Sequence, residues 1–404
     1  SEEELAAIHE KQAELKENFG YYGKWTVHRD MPFEEIKQKI DAGESFVLRF
    51  RSEGSLEHRV RFQDLVKGKM EFPENDQDVV LLKSDGIPTY HFAHIVDDHF
   101  MGTTHVVRGE EWLATLPIHL QLFQAMGWKP PKYIHTAQLM KMDGESKRKL
   151  SKRKDPELAL DFYKQQGYSV SAVKEYILTL LNSNFEDWRI ANPNAPMEDF
   201  KFTTKKMGVS GALFDMEKLN DVSKNVISKM TAEQVYTLLT DWANQYDEPF
   251  YALLTRDPAY TKAILSIGRG GKKPRKDIAI WSEAKAYMDF FFDELFCPDY
   301  TAYPENTAAD VKNILDEYAK VYDANDDSGQ WFERIKAITD KFGYASNMKE
   351  YKKNKDAYRG SVADVSMVIR VAVTGRQNSP DMYDVMQVLG QEKVLERLQK
   401  AANN

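Results

Sequence analysis

Between residues 79 and 140 the apolar residues change period repeatedly, and no other feature constrains the fold as strongly. "DVVLLK" is a short apolar run of strand length, and "IPTYHFAHIVDDHF" repeats at helical spacing. "THVVRG" reads as a strand, "ATLPIHLQLFQAMGW" as a helix and "YIHTAQLM" as a strand again. Strands that alternate with helices of this length predict parallel pairing with crossover helices. In such a sheet, ligands sit beyond the carboxyl ends of the strands.

The flanking segments have other rhythms. Residues up to about Gly20 predict one amphipathic helix, with Leu5, Ile8 and Leu15 on its apolar side. "SFVLRF" and "EHRVRFQDLV" alternate apolar and polar residues, as half-buried strands do, with "EG" between them as a turn. Farther on, Asp155 suits an N-cap and Pro156 a first helical position. The following "VSAVKEYILTLLNS" places Val173, Ile177, Leu180 and Leu181 on one face. From about residue 225 the patterns are helical: "AEQVYTLLTDWANQY", "AKAYMDFFFDELF", "AADVKNILDEYAKVY" and "SVADVSMVIRVAVTG". The fold class expected is therefore multidomain, α/β followed by all-α.

Composition narrows the function. A chain of 404 residues suggests two to four domains. Its formal charge of −8 excludes a protein that coats nucleic acid through overall charge, so any polyanion contact must use local basic patches. The one cysteine, Cys297, excludes an internal disulfide framework and a Cys-rich zinc site, which fits a reducing cytoplasm. No long uninterrupted apolar run is present, so no membrane-spanning helix is expected.

Local basic patches exist. "KMDGESKRKLSKRK", Lys141 to Lys154, packs seven Lys and Arg residues around Gly144, between a strand and a capped helix. It reads either as a solvated loop or as a mobile cationic segment for a triphosphate, with Ser151 as an added donor. "SIGRGGKKPRK", Ser266 to Lys276, holds Arg269, Lys272, Lys273, Arg275 and Lys276 with no acid. It reads as an interhelical loop or as a backbone contact for nucleic acid. "KKNKDAYRG", Lys352 to Gly360, adds cations and tyrosines suited to phosphate contact and stacking. Upstream, helical spacing puts Tyr90, His94 and Asp97 on one face and Phe92, Ile95 and Val96 on the other. Arg108 ends a strand, where its fork suits a carboxylate. Trp112 suits either core packing or a ligand contact. His91, His94 and His99 match no zinc spacing.

Within the first patch, "KLSKR" (Lys149 to Arg153) resembles the second signature loop of the class I aminoacyl-tRNA synthetases. "LLKSDGIPTYHFAHIVDDHFMGTTHVVRGEEWL" and "RVAVTGRQNSPDMYDVMQVLG" are similar to the glutamyl-tRNA synthetase family. The resemblance implies that Lys149, Ser151, Lys152 and Arg153 serve the triphosphate and that Tyr90 and Arg108 hold glutamate. His94 stands where the family often has Asn. Glu111 and Trp112 match positions near the adenosine and the acceptor end. Arg269, Lys272, Lys273, Arg275 and Lys276 become tRNA contacts. Implied partners are ATP, Mg²⁺ carried by its phosphates, glutamate and tRNA-Glu, with no zinc, no membrane and a monomeric state.

Implied domains are an α/β insertion over 1–78, the second half of a Rossmann-like catalytic domain over 79–140, the signature loop and a helical stem-contact region over 141–225, and an anticodon-binding domain over 226–404. Glutaminyl-tRNA synthetases share the catalytic motifs, but their C-terminal β-barrels disagree with the helical pattern here. The family opens with a histidine-bearing phosphate loop of "HIGH" type and an early Arg. The sequence contains no such motif and lacks an initiator Met. The expectation is thus a fragment without the N-terminal half of the catalytic domain, catalytically incomplete alone, with a tRNA-binding module as the alternative reading.

Overall fold

The computed structural model describes residues 2–404, which form two compact units, residues 2–150 with Ile177–Phe214 and Ser151–Tyr176 with Asp215–Asn404. The first unit carries strands β1 (Leu48–Arg49), β2 (Arg59–Asp64), β3 (Gly68–Pro73), β4 (Val80–Leu82), β5 (His105–Gly109), β6 (Lys132–Thr136), β7 (Leu139–Asp143), β8 (Ser146–Lys149) and β9 (Ala212–Leu213). Its helices are α1 (Glu2–Glu14), α2 (Phe33–Asp41), α3 (Tyr90–Phe100) and α4 (Leu116–Ala125). The main sheet has the order β3-β2-β6-β5. β5 and β6 run parallel from His105↔Lys132 to Gly109↔Thr136, and β2 joins β6 in parallel at Asp64↔Tyr133. Ile95, Leu122 and Phe123 are buried between α3 and α4, with Phe50, Leu81 and Trp128 packed around them. The parallel pairing agrees with the alternation of strand and helix in the sequence.

Four sequence expectations change. β1 pairs with β4 rather than with β2, whose hairpin partner is β3. β3 and α2 were not foreseen. "YIHTAQLM" is two strands in different sheets, because the chain leaves β6 at Thr136 and re-enters a separate three-stranded sheet, β8-β7-β9. The front of the basic "loop" is the β7–β8 hairpin, in register from Asp143↔Ser146 to Met140↔Lys149. Gly144, at φ +62, occupies the left-handed region that its tight turn requires. Leu15 lies beyond α1 and is exposed.

The second unit is helical. Its helices are α5 (Leu160–Gln166), the first part of α6 (Val170–Leu181), α8 (Met216–Ser228), α9 (Ala232–Tyr246), α10 (Glu248–Arg256), α11 (Pro258–Ser266), α12 (Trp281–Met288), α13 (Val311–Val321), α14 (Ser328–Lys341), α15 (Met348–Lys353), α16 (Val362–Thr374), α17 (Met382–Leu389) and α18 (Gln391–Ala402); α7 (Phe185–Ala191) lies in the first unit. α6 buries Ala172 and Tyr176, whereas Ile177, expected on its apolar face, is exposed. Capping boxes at Thr231–Gln234, Asp327–Gln330 and Ser361–Asp364 start α9, α14 and α16, each satisfying orphan backbone donors. One core gathers around Leu239, Phe250 and Phe290, a second around Tyr318, Val368 and Leu398. Leu398 is fully buried. Leu398→Ala is therefore expected to destabilise this unit by about 3 kcal/mol through lost burial and a residual cavity. Urea unfolding followed by helical circular dichroism reads the effect.

Candidate active site

Three elements of the first unit bring their polar ends together. α3 begins at Tyr90, β5 places Arg108 next to its last residue, and β6 sets His135 beside Arg108 in the parallel register. The 3-10 turn Glu110–Thr115 then leads into α4, which contributes the buried His119. Arg108 donates from Nε to His135 Nε2 at 3.0 Å, from Nη2 to the Trp112 carbonyl at 3.5 Å, and its Nη1 lies 3.2 Å from His119 Nδ1. Its guanidinium also stands 5.0 Å from the centre of the Tyr133 ring. Tyr90, half exposed, packs on Trp112 at 4.5 Å and stacks on His94 at 5.7 Å. Among the described residues no carboxylate pairs with Arg108. The result is an arginine fork beside an aromatic wall, suited to a ligand bearing a carboxylate.

Two expectations about α3 are corrected. His94 was placed with Asp97 on a polar face, but its Nδ1 pairs with Asp98 at 2.9 Å and its Nε2 lies 3.0 Å from the Tyr133 hydroxyl. Asp97 is exposed. The i,i+4 spacing of His94 and Asp98 carries that pairing. Glu111 is exposed, whereas its neighbour Glu110 is the anchored residue. Glu110 pairs with Lys67 and accepts the Gln138 backbone N–H at 3.2 Å, and the hydrogen bond from Lys67 holds its carboxyl below the usual range. The sequence reading missed Asp64, His119, Tyr133 and His135, which all touch this network.

The signature-loop cations divide at the unit boundary. Lys149 ends β8 in the first unit, exposed, and is followed by the buried Leu150. Ser151, Lys152 and Arg153 open the second unit, the two cations exposed. Asp155 does not cap the helix that follows. Its buried carboxylate turns back to accept the Ser151 backbone N–H at 2.8 Å, and Ser151 Oγ accepts the Arg153 N–H at 3.3 Å. This closed turn presents Lys152 and Arg153 outward.

With that geometry in place, the comparisons decide the family. Residues 1–221 match the model for the catalytic domain of the class I tRNA synthetases (E and Q), and residues 234–402 match that for an anticodon-binding domain. A glutamate–tRNA ligase from Acetivibrio thermocellus is 52% identical over 99% of this chain and 73% of its own length. One from Clostridium perfringens is 49% identical over 98% of this chain and 73% of its own. The chain belongs to the glutamate–tRNA ligases. These are class I aminoacyl-tRNA synthetases. The crystal structure of a glutamate tRNA ligase from Elizabethkingia meningosepticum, in complex with its amino acid, shares the fold, with a TM-score of 0.73 at 24% identity over 100% of this chain and 78% of that one. The catalytic-domain match begins at residue 1, and the chain spans about 73% of the length of these relatives.

The ligase-family site has an acid-sensitive interior. Burial pushes His119 down to about 2, helped by His94 and Arg108, and burial likewise lowers His91, His94 and His135. A histidine held neutral in the folded state but protonated when unfolded binds fewer protons in the folded state, so stability is present above the unfolded value and falls below it. The stability of the first unit is expected to drop below about pH 6.5, with His119 contributing a slope that approaches about 1.4 kcal/mol per pH unit. His119→Gln should show a shallower slope in urea titrations between pH 5 and 7.

The second basic segment is not a uniform patch. Arg269 turns inward, donating to the Leu265 and Ile227 carbonyls at 2.7 Å each, and burial lowers its pKa. Arg275 forks onto Asp277 at 2.7 and 2.9 Å. Both guanidinium groups are thus engaged by groups of this chain, and Arg275 remains exposed. Lys272, Lys273 and Lys276 are exposed. In the third group, Arg359 is likewise held by Asp310 at 2.7 Å.

Proposed function

We propose that the protein joins glutamate to the tRNA for glutamate, driven by ATP, and that the observation carrying this reading is the carboxylate-free Arg108 beside Tyr90 and Trp112. Arg108 receives the glutamate side-chain carboxylate as a bidentate pair, and Tyr90 and Trp112 close the wall. The substrate α-carboxylate attacks the α-phosphorus of ATP and displaces pyrophosphate. The terminal ribose hydroxyl of the tRNA then attacks the adenylate carbonyl and releases AMP. Lys152, with Lys149 and Arg153, meets the charge that grows on the triphosphate, and Ser151 adds a donor. His94 lines the amino-acid pocket, and Glu111 with Trp112 flanks the adenosine and acceptor end. Mg²⁺ travels with the ATP phosphates and needs no protein cage. The protein works in the cytoplasm as a monomer. Glutamate-dependent ATP–pyrophosphate exchange with tRNA present, followed by charging assays, tests the reading; exchange with another amino acid in preference to glutamate overturns it.

The exposed lysines favour a second reading, a module that binds tRNA without ligation. Phosphate contacts release counterions, so binding to glutamate tRNA should weaken steeply with salt. Replacing Lys272, Lys273 and Lys276 with Ser is expected to reduce the magnitude of the log–log salt slope by about 2 to 3, at about 0.9 per lost contact. An anticodon change should weaken binding with the slope little altered, because base contacts specify whereas phosphate contacts position. Filter binding at several salt concentrations reads both. Retained binding with no exchange leaves the second reading standing.

A further inference from the structure

Arg108 is fixed by neighbours that do not cancel its charge. A guanidinium has five N–H groups. Here one is used on His135, one on His119 and one on the Trp112 carbonyl, which leaves one on each terminal nitrogen. A histidine nitrogen accepts a hydrogen bond only where it carries no proton, so both histidines face Arg108 in their neutral form. The remaining nitrogens settle the tautomers. His135 Nδ1 lies 2.7 Å from Asp64 Oδ2, so it bears the proton and leaves Nε2 as the acceptor. His119 Nε2 lies 3.0 Å from His91 Nδ1, so it donates there and leaves Nδ1 toward Arg108. Asp64, His119 and His135 are all fully buried. Asp64 is itself held, since its Oδ1 accepts the Val66 and Lys67 N–H groups at 2.8 Å and its Oδ2 the His135 backbone N–H at 3.2 Å.

A partly buried arginine can be steadied by a carboxylate, which would compete with an anionic substrate for the same fork. This site avoids that conflict. The one carboxylate in the relay stands behind a histidine, where it sets a proton position without touching the guanidinium. Building on the reading of Arg108 as the carboxylate-binding residue, we infer that Asp64, His135 and His119 are positioning residues that orient Arg108 through neutral acceptors and so keep its whole charge for the substrate. Asp64→Asn can turn an amide N–H toward His135 Nδ1, which moves the ring proton to Nε2 and sets it against the Arg108 Nε–H. The shape is unchanged, but a donor then faces a donor.

The test combines two measurements on the whole chain. Nitrogen-15 NMR of the imidazoles should find His135 neutral with the proton on Nδ1 and His119 neutral with it on Nε2. Calorimetric titration with glutamate should find affinity reduced about tenfold in Asp64→Asn and in His135→Leu, the scale of one lost hydrogen bond to a charged group. His135→Gln, which can return an acceptor to Arg108, should recover most of that loss, a rescue that a merely structural role would not give. Because Asp64 also ties down the β2–β3 turn, the two His135 variants carry the test if Asp64→Asn does not fold. A His135 proton on Nε2, or His135→Leu binding glutamate as well as the parent while Arg108→Ala does not, overturns the inference. Unchanged glutamate affinity in Arg108→Ala overturns instead the carboxylate reading on which the substrate claim rests, and the NMR tautomers then decide the relay alone.

Discussion

Replacing Lys152 with Ala is expected to lower kcat for glutamate-dependent pyrophosphate exchange by about 10²-fold or more, with the KM for glutamate changed less than about threefold. The asymmetry follows from where the charge develops. In the ground state the triphosphate is already screened by its metal and by water. As the bond to pyrophosphate breaks, negative charge moves onto the leaving group, and an exposed ammonium on a short turn can follow it. A contact made mainly in the transition state cannot be replaced by raising substrate concentration. Steady-state kinetics on parent and variant, assayed side by side, decides the point. A defect that vanishes at saturating ATP and glutamate would falsify the assignment.

Arg108→Ala should have the opposite signature, weakening glutamate affinity by about 10²-fold, or roughly 3 kcal/mol, as expected when one member of a buried charge pair is deleted. Arg108→Lys is expected to recover only part, because a point charge cannot make the fork or satisfy both histidines. Glutamine in place of glutamate should lose most of its discrimination penalty in Arg108→Ala. Competition titrations measure this directly.

Much of the first unit was legible because its pattern is local. The helix at Tyr90–Phe100 and the strand at His105–Gly109 follow from periodicities that short windows contain. Arg108 and Tyr90 were reachable by motif. β3 was not, since "GKMEFP" opens on Gly68, closes on Pro73 and carries no apolar run. The β7–β8 hairpin was hidden by its charge, for "SKRK" looks like a loop until strand pairing stabilises it. The relay behind Arg108 depends on tertiary structure, because Asp64 and His135 are 71 residues apart. The inward turn of Arg269 was hidden for a similar reason: a cation in a Gly-rich segment looks exposed unless the Ile227 carbonyl, 42 residues away, is known to face it.

The turn that begins at Ser151 also limits how the triphosphate is met. Leu150 is buried on one side and Asp155 on the other, and the Ser151 N–H is tied to the Asp155 carboxylate. Within the second unit only Ser151 to Lys154 precede the Asp155 anchor, a span of about 3.5 Å per extended residue. In the proposed function, contact with ATP is made by the side chain of Lys152, which is exposed and has four rotatable bonds. Exposed side chains reorient in picoseconds to nanoseconds, whereas hinged lids take microseconds to milliseconds. In the role proposed for it, Lys152 moves on the timescale of an exposed side chain, faster than any hinged lid.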